Sequence, residues 1–155
     1  MSQELLQRSF GRRLAGVDYT DRVGAYAVIF DGEGRIAVVQ TSTGYFLPGG
    51  GIDRDETHAE CIRRECLEET GLAVEADAFV CKTDKYLWSD TLNYYMHGIS
   101  YFYLCKIAGS VEAPVEADHE LLWLTPEECV ERLFPEHQVW AVEQAIIIAS
   151  GGLRA

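Results

Sequence analysis

Three consecutive glycines, Gly49-Gly50-Gly51, follow Pro48 and lead into a helix-forming stretch that carries Glu65, Glu68 and Glu69. That adjacency constrains the chain more than any other feature. Glycine lets backbone approach a partner with no Cβ in the way, and the Pro-Gly run is expected to stop any regular element. Thr57 and Glu60 have the spacing of a capping box, and Gly71 supplies a stop, so a helix is expected between them. At about 100° per residue the three carboxylates share about 100° of arc. Ala59, Ile62, Cys66 and Thr70 form the core stripe, with Glu69 at its edge and partly shielded from water. Arg64 and Glu68 stand i, i+4 apart and can pair. Clustered acids repel one another, and a hard divalent cation relieves the repulsion. Mg²⁺ prefers oxygen ligands and joins carboxylates to phosphates. The helix alone also fits a solvated acidic face. The glycine loop at fixed distance makes the pair more specific than either part.

Around this segment the chain alternates between strand and helix signals. Tyr26–Phe30 and Arg35–Gln40 are β-rich and flank Asp31-Gly32-Glu33-Gly34, the pattern of a hairpin. Tyr45–Leu47 is a short strand, Val74–Lys85 one or two strands, Tyr94–Ile107 a strong strand, and Leu121–Leu124 a short one. Gly109–His119 is an acidic loop. Thr125-Pro126-Glu127-Glu128 opens a helix to about Leu133, and a last helix runs from about Glu136 to Ala149 before Gly151-Gly152. The order predicts a mixed sheet with helices packed on it. Met1–Thr20 is the least patterned part and is expected to be a partly ordered lead-in to one domain, residues 21–155.

The charge balance narrows the partners. Thirteen basic and 25 acidic residues give a formal net charge of −12 among 155 residues. A field of that sign repels phosphate backbones and argues against a nucleic-acid polymer. A small phosphorylated ligand remains compatible if a cation stands between it and the carboxylates. The longest greasy run, Ala145–Ala149, is far too short to span a membrane, and the polar Met1–Arg13 is not expected to be a secretory signal. Cys61, Cys66, Cys81, Cys105 and Cys129 contain no C-x-x-C pair. They are expected to be buried, reduced thiols, as in a cytoplasmic protein.

Gly50, Glu56 and the run Arg64-Glu65-Cys66-Leu67-Glu68-Glu69-Thr70-Gly71-Leu72 together resemble the Nudix box of the Nudix hydrolases. Seven polar or glycine positions match across 23 residues. At a background of ~7% each, chance agreement is of order 10⁻⁸ per start position. The order of flanking strands and helices extends the resemblance over most of the chain. Cys66 departs from the usual aliphatic residue, a substitution read as harmless packing.

The resemblance implies an α/β Nudix fold, an α/β/α sandwich around a mixed β-sheet. It implies hydrolysis of a nucleoside diphosphate linked to another group, with Mg²⁺, or Mn²⁺ as substitute. Glu65, Glu68 and Glu69 then correspond to the metal-binding and catalytic carboxylates, and the Gly49 carbonyl to a backbone ligand. Glu56 and Arg64 would hold the loop, Gly50 included, against the helix and orient the acids. The base that takes the proton from water is either Glu65 or an acid from a later loop. Glu120, shortly before Trp123, is favoured for that later acid over Glu116. The alternative is a Nudix-fold nucleotide-binding or regulatory domain without turnover. The intact set of acids argues against it, and against the isomerase branch of the fold.

Substrate recognition is less legible. Tyr86, Trp88, Tyr94, Tyr95, Tyr101 and Tyr103 can stack on a base or simply fill sheet faces. Tyr101 and Tyr103 face one side of their strand, with Phe102 and Leu104 on the other. His97 is expected to be a solvated loop residue, and His137 and Trp140 to be structural. No mark selects oxidised nucleotides, dinucleoside polyphosphates, nucleotide sugars or ADP-ribose, and monomer and homodimer are equally compatible.

Overall fold

The computed structural model describes residues 5–109 and 116–151. The middle of the acidic Gly109–His119 loop, the first four residues of the lead-in and Gly152 lie outside them. In chain order the elements are β1 (Gln7–Gly11), β2 (Thr20–Ile29), β3 (Ile36–Gln40), β4 (Tyr45–Phe46) and β5 (Gly49–Gly51). There follow α1 (His58–Thr70), β6 (Val74–Ser89), β7 (Tyr94–Ile107), β8 (Glu120–Leu124), α2 (Pro126–Arg132) and α3 (Glu136–Ala149). A five-stranded sheet has the order β1-β6-β7-β2-β5, and a three-stranded sheet the order β4-β3-β8. The larger sheet is mixed: β2 runs parallel to β7 and antiparallel to β5.

Helices cover both faces of the strands, giving the expected α/β/α sandwich. Side chains alternate along β2, so Ala25, Ala27 and Ile29 face α1 and pack with Cys61, Ile62 and Cys66. Val28 turns to the opposite core, with Phe102, Cys129 of α2, and Ala141, Val142 and Ala145 of α3. Phe102 has no exposed surface. Truncating such a side chain to alanine costs about 3–5 kcal/mol. All five cysteines are buried and free. No helix of the described residues is long and apolar enough to cross a membrane.

Several local expectations change in the structure. The glycine run does not end regular structure: it is itself a strand, β5, paired with Gly24–Tyr26 of β2. A Cβ at Gly49 would lie 2.4 Å from the Ala25 carbonyl oxygen, and one at Gly24 would lie 2.8 Å from that of Gly50. Missing side chains on both strands allow the pairing.

The turn at Asp31 forms, its carboxylate accepting from the N–H groups of Glu33 at 2.9 Å and Arg35 at 2.8 Å. However, β2 and β3 keep a single bridge, Phe30 to Ile36, before parting into separate sheets. The expected hairpin is a corner. The lead-in contributes β1, whose five residues pair in parallel with Lys82–Tyr86 of β6. Val74–Lys85 is part of one 16-residue strand that reaches Ser89, with register shifts near Ala76 and Phe79.

On α1 the stripe is displaced: Ala59 is exposed and Cys61 is buried instead. The Cys61 thiol lies beneath β5 and donates to the Gly50 carbonyl at 3.4 Å. His97 is not in a loop but in β7. Its ring stacks on Tyr86 at 4.4 Å, and Nδ1 lies 2.9 Å from Asp21.

Candidate metal centre and adjoining cleft

Helix α1 is fixed at both ends before it presents its acids. Thr57 Oγ1 accepts from the Glu60 N–H at 3.1 Å, and the Glu60 carboxylate accepts from the Thr57 N–H at 2.9 Å. Gly71, at φ 75°, closes the helix by donating to the Leu67 carbonyl at 3.1 Å. A reciprocal cap of this kind contributes about 1 kcal/mol.

Arg64 then ties helix, loop and acids together. It donates to Glu56 through Nε at 2.7 Å and Nη2 at 2.9 Å, and to the Gly51 carbonyl at 3.1 Å. Its Nη1 reaches Glu65 at 2.8 Å and Glu68 at 3.4 Å. The paired guanidinium holds the Glu56 carboxyl down to about 2.

The structure divides the three helix acids. Glu65 and Glu68 share Arg64, while Glu69 turns toward the loop before β8. Ligand atoms of Glu69, Glu116 and His119 all lie within 4.8 Å of one another. His119 Nδ1 is 3.0 Å from Glu116, and Nε2 is 3.5 Å from Glu69. The Glu116 N–H donates to the Glu68 carbonyl at 3.2 Å, which docks this loop on the end of α1.

Glu69 is the most confined of these acids. It accepts from the Gly49 N–H at 2.8 Å. Burial, reinforced by Glu65, Glu116 and Glu68, pushes its carboxyl up to about 8 despite that bond. Burial also raises Glu65, whose carboxyl carbon stands 2.8 Å from where a Cβ at Gly50 would sit. Gly50 therefore leaves room for the Glu65 carboxylate, a role beyond simple turn formation.

Glu120 stands apart from this cluster. It is exposed at the start of β8, in register with Gln40. Glu116 occupies the place by Glu69, joined by His119, which sequence reasoning passed over as the end of a loop. The only available signal was the Glu116 to His119 spacing, which a turn brings together.

This donor set suits a hard divalent cation. Carboxylates converge, repel one another, and are incompletely neutralised by one arginine. The acids adjoin a small pocket of about 270 Å³ lined by Gly49, Glu69, His119, Gln138, Phe46 and Tyr26. On the α3 side of β5 a second cavity of about 270 Å³ shares Tyr26 and Phe46. Leu87 and Met96 line it, with Phe134, an exposed aromatic packed against Phe46 at 5.8 Å, at its edge. Tyr26 sits between the two, stacked on Phe102 at 5.5 Å, its phenol pushed up to about 12 by burial and by Glu69 and Glu65. Tyr86 and Trp88, Tyr95 and Tyr101 do not line this cavity.

Comparison with known proteins agrees with the geometry. The NUDIX domain family matches residues 20–144. A MutT-like protein of Streptomyces ambofaciens is 31% identical over 114 residues, 72% of this chain and 68% of that one. The crystal structure of a MutT NUDIX hydrolase from Burkholderia pseudomallei superimposes with a TM-score of 0.63 at 29% identity, covering 81% of this chain and 98% of that one. An ADP-ribose pyrophosphatase from Streptococcus suis shares the fold, with a TM-score of 0.60 at 24% identity over 81% of this chain and 92% of that one. Box, sheet topology and relatives converge: the chain belongs to the Nudix hydrolases.

Proposed function

We propose that the protein is a metal-dependent nucleotide pyrophosphohydrolase, cleaving a phosphoanhydride in a nucleoside diphosphate linked to another group. The observation that carries this reading is the shared wall between the acid cluster and the cavity, formed by Tyr26 and Phe46. A diphosphate lying along β5 would have its reacting phosphorus by the carboxylates and its base in the cavity. MutT-like and ADP-ribose pyrophosphatase names among the relatives support this class of substrate.

Glu69, Glu116, Glu65, Glu68 and the Gly49 carbonyl would hold the ion, Mg²⁺ or Mn²⁺. Such an ion, when bound, neutralises phosphate charge and acidifies a coordinated water. Glu65, over Gly50, accepts the water's proton in this reading, and Glu116 is the loop acid available beside it. Arg64 keeps Glu65 and Glu68 oriented while Glu56 keeps Arg64 in place. Buried free thiols fit a reducing, cytoplasmic setting.

Product analysis in ¹⁸O water tests the reading. The panel is nucleoside triphosphates, dinucleoside polyphosphates, ADP-ribose and nucleotide sugars, each with Mg²⁺. Cleavage abolished by EDTA, with label on one defined phosphate, is the expected result. Ligand binding without cleavage of any of these would favour a binding domain instead.

A further inference from the structure

The cavity beside β5 has a charge opposite to that of the protein around it. The chain carries a formal −12, yet no aspartate or glutamate among the described residues lines this cavity, whereas Arg22 and Lys85 do. Among the described residues neither cation has a carboxylate within 4.0 Å. The Arg22 side chain, among the described residues, bonds only to the Tyr94 hydroxyl, at 3.4 Å. Lys85 pairs across strands with Gly98, which has no side chain and leaves the floor open at that point. The inner wall holds Ser100 and the largely buried His137, whose Nδ1 has no partner. Burial, helped by the charge of nearby Lys85, keeps the His137 ring neutral. The remaining walls are Phe46, Leu87, Met96 and Phe134, flat or apolar.

A planar ring suits the apolar walls, and its edge must satisfy the cations. Ammonium and guanidinium groups only donate. At purine position 6 or pyrimidine position 4, guanine and thymine or uracil present a carbonyl that accepts. Adenine and cytosine present an amino group that donates there, and accept only through ring nitrogens or, in cytosine, O2. We propose that this cavity selects a nucleobase with a carbonyl at purine position 6 or pyrimidine position 4, stacked by Phe134, with Lys85 reading that oxygen. The assignment rests on the nucleotide reading above but is independent of turnover.

The test is calorimetric titration with guanosine, uridine, adenosine and cytidine 5′-monophosphates in EDTA, for the native protein and Lys85→Met and Lys85→Arg. A charged hydrogen bond predicts GMP and UMP binding about tenfold or more tighter than AMP and CMP. Lys85→Met reduces that ratio to about twofold or less, Lys85→Arg retains it, and the melting temperature of both stays native. AMP binding as tightly as GMP, a ratio unchanged in a folded Lys85→Met, or no binding of any monophosphate would overturn the proposal. Hydrolysis of the four triphosphates with Mg²⁺ separates the two readings. Base preference without hydrolysis supports this assignment and removes the hydrolase one. Hydrolysis without base preference does the reverse.

Discussion

The acid cluster and the cavity beside it lie on either side of one glycine strand, but they are assembled differently. The main part of the cluster comes from residues 49–69, one contiguous segment with Glu116 and His119 added from a loop. The cavity draws on six separate stretches, from Arg22 on β2 to His137 on α3. The first is charged, rigidly tied and repelling; the second is largely apolar and cationic at its edge. A contiguous segment can fix the geometry of bond cleavage by local rules of helix period and capping. A pocket that fits a particular ligand depends on how distant strands pack.

The largest effect that would sharpen this contrast is expected from Glu69→Gln. Turnover should fall by about 10²–10³-fold, the several kcal/mol that a well-held cation supplies, with the fold retained because the side chain is isosteric. Native-like turnover in the folded variant would remove Glu69 from the chemistry. Arg64→Ala should cost about 10–100-fold through misoriented acids, while the ligand preference of the cavity, measured as a ratio between bases, stays native. A changed ratio would show that the two regions are not separate.

Glu116→Gln should lower activity by about tenfold or more, and Glu120→Gln by about twofold or less, since only Glu116 adjoins Glu69. Equal, small losses would place the loop's contribution elsewhere. On the cavity side, Phe134→Ala should raise KM about fivefold or more with kcat nearly unchanged, the signature of lost ring stacking. A fall in kcat alone would contradict that role.

The smallest effect is on stability. The Glu69 carboxyl sits at about 8 in the folded chain against 4.5 as a free group. The folded state therefore holds this proton more tightly than the unfolded state. Its contribution to stability is greatest below pH 4.5 and is lost as pH rises toward about 8. In EDTA the melting temperature of the native protein should fall more steeply across that window than that of Glu69→Gln, and Mg²⁺ should restore it at the alkaline end. Parallel curves would show that burial does not perturb Glu69.

Much of the fold was legible because it rests on local signals. Tyr94–Ile107 and Glu136–Ala149 match the observed elements to the residue, and both capping boxes form. The strand character of Gly49–Gly51 was hidden because glycine disfavours strands locally. Only the opposing Gly24 on β2, distant in sequence, makes the pairing possible. The parallel pairing of β1 was similarly invisible, since its partner lies about 75 residues away. At the site, the pairing of Arg64 with Glu68 followed from spacing, and the part played by Glu56 from the resemblance of the box. Glu116 and His119 did not, because loop conformation decides which of two nearby glutamates turns inward. Arg22, Lys85 and Phe134 carry no joint signal in one dimension.

The glycine strand also bears on how such a chain can change over generations. Tyr26 and Phe46 touch both regions, so substitutions there would disturb cleavage and recognition together. Lys85, Leu87, Met96 and Phe134 line the cavity and none of the acid pocket. Drift at those four positions can redirect the protein toward a new ligand while the chemistry beneath β5 is inherited intact.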